Sequence, residues 1–194
     1  MSTAPLSARR RAQPNGWWGM VLFLCAEVTL FGTLAATYFY LEFDATRWPP
    51  PGVPRPSVVL PLIATAGLLA TSVPMALAAR AAVRGRRERA LALIAIALLL
   101  QSAYLAGQIL LFAHDLNQFS PQGSAYGSAY FTLLATHHAH VLLGILLDLW
   151  VLWKVGTGGL NRYRLVGVRA VALYWHVVNA VAVVVVLTQL SPSL

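Results

Sequence analysis

Cysteine is almost missing from this 194-residue chain, where Cys25 is the only one. A disulfide framework and a thiolate metal site each need more than one, so neither is available. Charge is also scarce, at 10% of residues against 58% hydrophobic. An average soluble domain carries far more. Acidic residues are rarest, six against fourteen lysines and arginines. The net charge of +8 does not mark a nucleic-acid groove, because the basic residues sit in short segments between apolar runs. No internal repeat is visible, so an inverted-repeat transporter signature is missing. No secretory signal peptide is expected either. Arg9, Arg10 and Arg11 lead straight into a span-length apolar run without a small-residue cleavage pattern.

What the chain has in quantity is apolar runs long enough to cross a bilayer as helices. The expected class is an all-α membrane protein. Residues 1–16 read as a polar cytoplasmic tail, and 17–194 as one five-helix membrane domain. The spans are expected at about 17–41, 58–79, 90–113, 126–153 and 169–190. Trp17 and Trp18 at one end of span 1, and Tyr38 and Tyr40 at the other, suit an interfacial aromatic belt. Pro49, Pro50, Pro51, Pro54 and Pro56 make 42–57 a stiff extended connection. Pro61 fits the first turn of span 2, and Pro74 should kink it near the far end. Gln101 and Gln108 are the polar residues of span 3.

Five spans put the termini on opposite sides. Twelve of the fourteen basic residues fall in the tail, in the 80–89 loop and in the 154–169 segment; the exceptions are Arg47 and Arg55. The positive-inside rule then places the N-terminus in the cytoplasm and the C-terminus outside, in the periplasm or extracellular space.

Against this background a few buried polar groups stand out. Glu27 lies about ten residues into span 1, ~15 Å deep and near the middle of the hydrocarbon. A carboxyl group there is strongly desolvated. It reads either as a proton-binding site or as a neutral acid hydrogen-bonded to a neighbouring helix. In ATHHAHVLLG (135–144), His137 and His140 are three apart and share a helix face. Gly144 and Asp148 extend that face, with Asp148 close enough to Lys154 to be solvated. Spans 1 and 4 run antiparallel, so Glu27 can meet His137 and His140 at similar depth, and His176 of span 5 can join them. Such a group handles protons, holds a metal or glues helices together. His138 faces elsewhere, towards a neighbouring subunit. Tyr174, Trp175 and Asn179 read as packing and hydrogen-bonding residues. Gly32, Gly67, Gly107 and Gly144 allow close helix approach.

Four blocks follow one another in a recognisable order: GMVLFLCAEV (19–28), YGSAYF (126–131), the 136–144 histidine segment and YWHVVN (174–179). Together they resemble subunit III of the haem–copper terminal oxidases, the cytochrome c and quinol oxidases. Glu27 falls on that family's intramembrane glutamate, and His137 and His140 on its two histidines. The likeness runs from Gly19 to about Leu190. His138 stands where the family usually has Gly, Asn179 replaces its usual Asp, and Leu111 lies near where many members carry Glu after the glutamine, here Gln108. The chain starts at the glutamate-bearing helix, which resembles the short five-helix bacterial form.

The resemblance implies an accessory subunit of an oxygen-reducing, proton-translocating complex of the aerobic respiratory chain, in the bacterial plasma or inner membrane. It implies no catalytic residue and no metal in this chain, with haem and copper in partner subunits. The chain would pack beside subunit I, bind phospholipid rather than nucleic acid, and support proton uptake and complex stability. Glu27, His137, His140 and His176 would form its interior polar cluster. Three rivals stay open: the related accessory subunit of a nitric oxide reductase, a small proton-coupled transporter using Glu27, and a b-haem redox protein ligated by His140 and His176.

Overall fold

The structure, a computed structural model, describes residues 15–54, 59–158 and 160–193, with only the backbone of Arg162, Tyr163 and Ser193. Most of the expected 1–16 tail lies outside the described residues. Its last two residues already belong to the first helix, α1 (Asn15–Asp44). There follow α2 (Val59–Ala70), α3 (Ser72–Val83), α4 (Arg87–Gln118), α5 (Ala125–Gly158) and α6 (Arg162–Leu190), closed by a short 3₁₀ turn, Ser191–Ser193. Taken as one segment, α2 and α3 make the second of five helical stretches long and apolar enough to cross a membrane.

Most helices outrun the expected spans. Arginine interrupts an apolar run, but it is a good helix former and does not interrupt the helix. The loops shrink accordingly. The basic 80–89 loop is reduced to a turn at 84–86, and the helices ending at Gly158 and starting at Arg162 take up most of the expected 154–168 loop. The first of these turns is built by Gly85. The N–H of Arg86 reaches Ala81 O (2.9 Å) and that of Gly85 reaches Ala82 O (3.0 Å), with Gly85 at φ +71°. This is a Schellman end, whose left-handed residue is normally glycine. Arg87 then donates to the Val155 carbonyl (3.0 Å) and to that of Gly156. It so ties the start of α4 to the free carbonyls at the end of α5. Asn161 caps α6 by accepting from the Arg164 N–H at 2.9 Å.

The second span is broken rather than kinked near its end. Pro74 has no N–H for the Ala70 carbonyl and crowds it, so the helix gives way one turn earlier, at Thr71. The hydroxyl of Thr71 turns back to Leu68 O (2.6 Å), and Asn179 of α6 reaches in to Ser72 Oγ (2.7 Å) and Thr71 Oγ1 (3.4 Å). Polar side chains thus occupy the gap that the proline opens.

α6 is the central helix. It packs on α1, α2, α3 and α5, while α4 packs on α2, α3 and α5. The most apolar stretch of α6 is 61% buried, against 17% for α1, which touches only α5 and α6 among the described residues. Alanines pack α3 against α4, with Ala78, Ala81, Ala82, Ala90 and Ala97 all buried. At the end away from the arginines the core is aromatic. Tyr126 meets Trp48 at 5.0 Å and Tyr130 at 5.6 Å. Tyr38 belongs here, fully buried and accepting from the Trp48 indole at 3.1 Å. Of the two tyrosines expected in an interfacial belt, only Tyr40 is exposed.

The YGS block shapes the entry to α5. A Cβ on Gly127 would come within 2.5 Å of the Ser120 carbonyl oxygen. The Gly127 N–H donates to Ser124 Oγ (3.1 Å), and the Ser128 hydroxyl donates to Pro121 O (2.6 Å).

Candidate functional site

Glu27 and His140 meet across the α1–α5 contact, with the carboxylate Oε2 2.5 Å from the imidazole Nε2. Both lie near the middle of their helices. The other ring nitrogen, Nδ1, is 2.7 Å from the carbonyl oxygen of Thr136. A carbonyl only accepts, so Nδ1 carries a hydrogen. This fixes the chemistry of the pair. Either a neutral imidazole accepts a proton from the carboxylic acid, or an imidazolium donates to the carboxylate. In both cases the pair is neutral overall and holds one proton between Oε2 and Nε2. The short distance suits such a charge-assisted bond.

The other helices fix this pair. Tyr174 of α6 donates its hydroxyl to the His140 carbonyl at 2.7 Å. The Phe31 ring of α1 stands edge-on to His140, 5.0 Å between centroids, and to His137, 6.4 Å. Leu24, Val177, Val178 and Val181 complete an apolar crevice of about 10 Å³ around Glu27, His137 and His140. That volume is at the lower limit for one water molecule. The side chains of His140 and Glu27 keep 15% and 16% of their surface, so the pair sits at the rim of the bundle, while His137 is buried.

His137 reaches inward. Its Nε2 lies 3.3 Å from the Tyr104 hydroxyl of α4. Its Nδ1 is buried with no partner among the described residues. Tyr104–His137 and His140–Glu27 are therefore two hydrogen-bonded pairs about one turn apart on α5, with Phe31 beside both histidines. Tyr104 escaped the sequence reading. The signal was there: Gln101, Tyr104, Leu105 and Gln108 fall on one helical face, which puts Tyr104 beside two buried glutamines.

His176 does not join the group. It is exposed on α6, because Tyr174, Trp175, Val178 and Asn179 turn the opposite side of that helix into the core. His138 packs edge-on against Phe112, 5.7 Å between centroids. Asp148 departs most from expectation. It is 0% exposed instead of solvated, because α6 covers it. Its Oδ2 accepts from the Trp175 indole (2.8 Å) and from the Gln101 amide (2.8 Å), which also reaches Ala97 O (3.1 Å). Trp175 fits because Gly144 makes room: a Cβ there would come within 2.5 Å of its Cζ2. Three helices are pinned at this point, and Trp175 directly follows the Tyr174 that bonds the His140 carbonyl. Among the described residues no three His, Cys, Asp or Glu side chains converge as a metal site requires.

Residues 11–190 match the family described as cytochrome c oxidase subunit III. The chain is 33% identical to the probable quinol oxidase subunit 3 of Staphylococcus haemolyticus, over 86% of this chain and 82% of that one. It is 31% identical to the cytochrome bo(3) ubiquinol oxidase subunit 3 of Pseudomonas aeruginosa, covering 86% and 80%. It is 32% identical to the cytochrome c oxidase subunit 3 of Synechocystis, covering 86% and 71%. With its five apolar helices, the chain belongs to the cytochrome c oxidase subunit III family, as the non-catalytic subunit III of a cytochrome c or quinol terminal oxidase.

Proposed function

We propose that the Glu27–His140 pair is the proton-holding centre through which this subunit supports proton uptake by the oxidase. The observation that carries this is the 2.5 Å contact, with the second imidazole nitrogen committed to the Thr136 carbonyl. A pair that is neutral whichever group carries the shared proton holds it in the membrane at low cost; giving it up leaves one negative charge there, which is costly and drives prompt reprotonation. Its partial exposure offers a route in from the rim, and His137 and Tyr104 offer a route inward.

In this reading the chain packs beside subunit I in a bacterial plasma membrane, with the polar segment ahead of α1 as a cytoplasmic tail and the five-helix domain in the bilayer. The arginine-rich end faces the cytoplasm, as the distribution of basic residues favours. Haem and copper stay in the partner subunits, and phospholipid fills the exposed apolar surface. His176, on the outer face of α6, is a contact to those neighbours rather than part of the proton line.

The test is turnover of the purified complex followed over time, wild type against Glu27→Gln. Glutamine keeps the shape and the hydrogen bond but holds no transferable acid proton. Initial turnover should be close to wild type and sustained turnover clearly lower. Equal initial and sustained rates in the variant would remove the proton-holding role.

A further inference from the structure

At the end of the bundle away from the arginines, α2, α4, α5 and α6 meet around a cavity of about 150 Å³. α4 supplies most of its wall. Gln108, Leu111 and Asp115 follow one another at three- and four-residue steps and so share a face. Tyr130 and Leu134 of α5 and Gln189 of α6 close the other sides.

The polar groups here are rich in oxygen and incompletely used. Gln108 is only 4% exposed and lines the cavity, yet its amide has no hydrogen-bond partner among the described residues. A buried amide is normally bonded. Tyr130 donates its hydroxyl to Asp115 Oδ2 at 2.7 Å, and the Gln189 amide nitrogen donates to the Tyr130 oxygen at 3.4 Å. That leaves Asp115 Oδ1 and the Gln189 carbonyl oxygen without a hydrogen bond among the described residues. No cationic side chain pairs with Asp115, since the single ion pair among the described residues is Glu27–His140. His114, next to it in the chain, uses its Nε2 to accept from the Gln118 amide at 2.6 Å, so that atom offers the carboxylate no N–H.

We infer that this cavity holds one monovalent metal cation, sodium or potassium. Its ligands are the Asp115 carboxylate, the amide oxygens of Gln108 and Gln189, and water, for which the space has room at about 30 Å³ per molecule. Oxygen donors suit hard cations. The charge count selects a monovalent one. One carboxylate and one positive charge leave the site neutral, whereas a divalent ion would leave an excess charge inside the bundle, where it is costly. The bound ion joins α4 to α6, two helices that do not pack on each other directly. It therefore stabilises the outer half of the bundle, independently of the Glu27–His140 pair.

The purified complex is exchanged into choline chloride and titrated with sodium chloride at constant total chloride. The temperature at which this subunit leaves the complex is followed by native mass spectrometry. It should rise and saturate, with half-saturation on the order of millimolar, as expected for a site with one charged ligand. The same titration with potassium shows which alkali ion the cavity takes, and saturation by either supports the site. Asp115→Asn keeps an acceptor for Tyr130 and should abolish the dependence. Gln108→Leu should raise the half-saturating concentration about tenfold. Asp44→Asn removes an acid that does not line the cavity, and should behave as wild type. A flat wild-type titration would mean that the cavity holds water alone, and would overturn the site. So would an unchanged dependence in both Asp115→Asn and Gln108→Leu, or an equal loss in Asp44→Asn. Calcium acting at lower concentration than either alkali ion, or methylammonium acting where neither does, would also overturn it. If Asp115→Asn assembles poorly, Gln108→Leu, which leaves the acid in place, carries the comparison.

Discussion

A single methyl group separates glycine from alanine, and at Gly144 there is no room for it. The Trp175 ring occupies that space and passes its indole N–H to Asp148. Gly144→Ala should destabilise the subunit by about 1–3 kcal/mol, the usual cost of overpacking a filled interior. Gly107→Ala is the control, since nothing lies within 4 Å of its added carbon. It should be neutral or slightly stabilising, because alanine is the better helix former. Thermal release of the subunit from the complex measures both. The sequence made Gly144 legible as a small residue on a packed face, but not its reason. The reason lies in a tryptophan thirty-one positions away on another helix. Asp148 was misread for the same cause. Its neighbourhood along the chain includes Lys154, whereas its neighbourhood in space is Gln101 and Trp175.

At the scale of elements, helix existence was easy to read and helix ends were not. Hydropathy marks where lipid contact stops, while hydrogen bonding marks where the helix stops. Gly85 shows the second criterion at work: α3 ends there because a residue at φ +71° reverses the chain into α4. Gly85→Ala forces a side chain into left-handed backbone at a cost of about 1–2 kcal/mol. The turn between α3 and α4 should open locally. Amide exchange of 84–87 should rise in that variant while exchange near Glu27 stays as in wild type. The break between α2 and α3 was legible in kind from Pro74. Its position at Thr71 follows from the carbonyl four residues earlier that the proline leaves unpaired. What the sequence could not supply is the Asn179 side chain that occupies the break.

At the scale of the molecule, five antiparallel spans say little about which helix is central. Every span is apolar, so composition does not separate a helix facing lipid from one facing protein. Here α6 is central, and its helical phase decides the fate of its polar residues: Tyr174 and Asn179 turn in, and His176 turns out. The sequence reading grouped His176 with Glu27 because both interrupt apolar runs, which records depth but not direction. Glu27 and His140 were paired correctly because antiparallel spans meet at equal depth near their middles, and because the His137–His140 spacing defines a face. The family match accounts for the complex to which the chain belongs. The proton-holding role proposed for the pair is what this chain would contribute to it.

The most direct test of that contribution is a double-mutant cycle on the duration of sustained turnover, with Glu27→Gln, His140→Asn and the two combined. If Glu27 and His140 hold one proton between them, either change alone removes that function and the double variant is no worse than the more damaging single one. Effects that add across the two sites, with each variant keeping wild-type initial turnover, would contradict a shared proton and leave two independent packing residues.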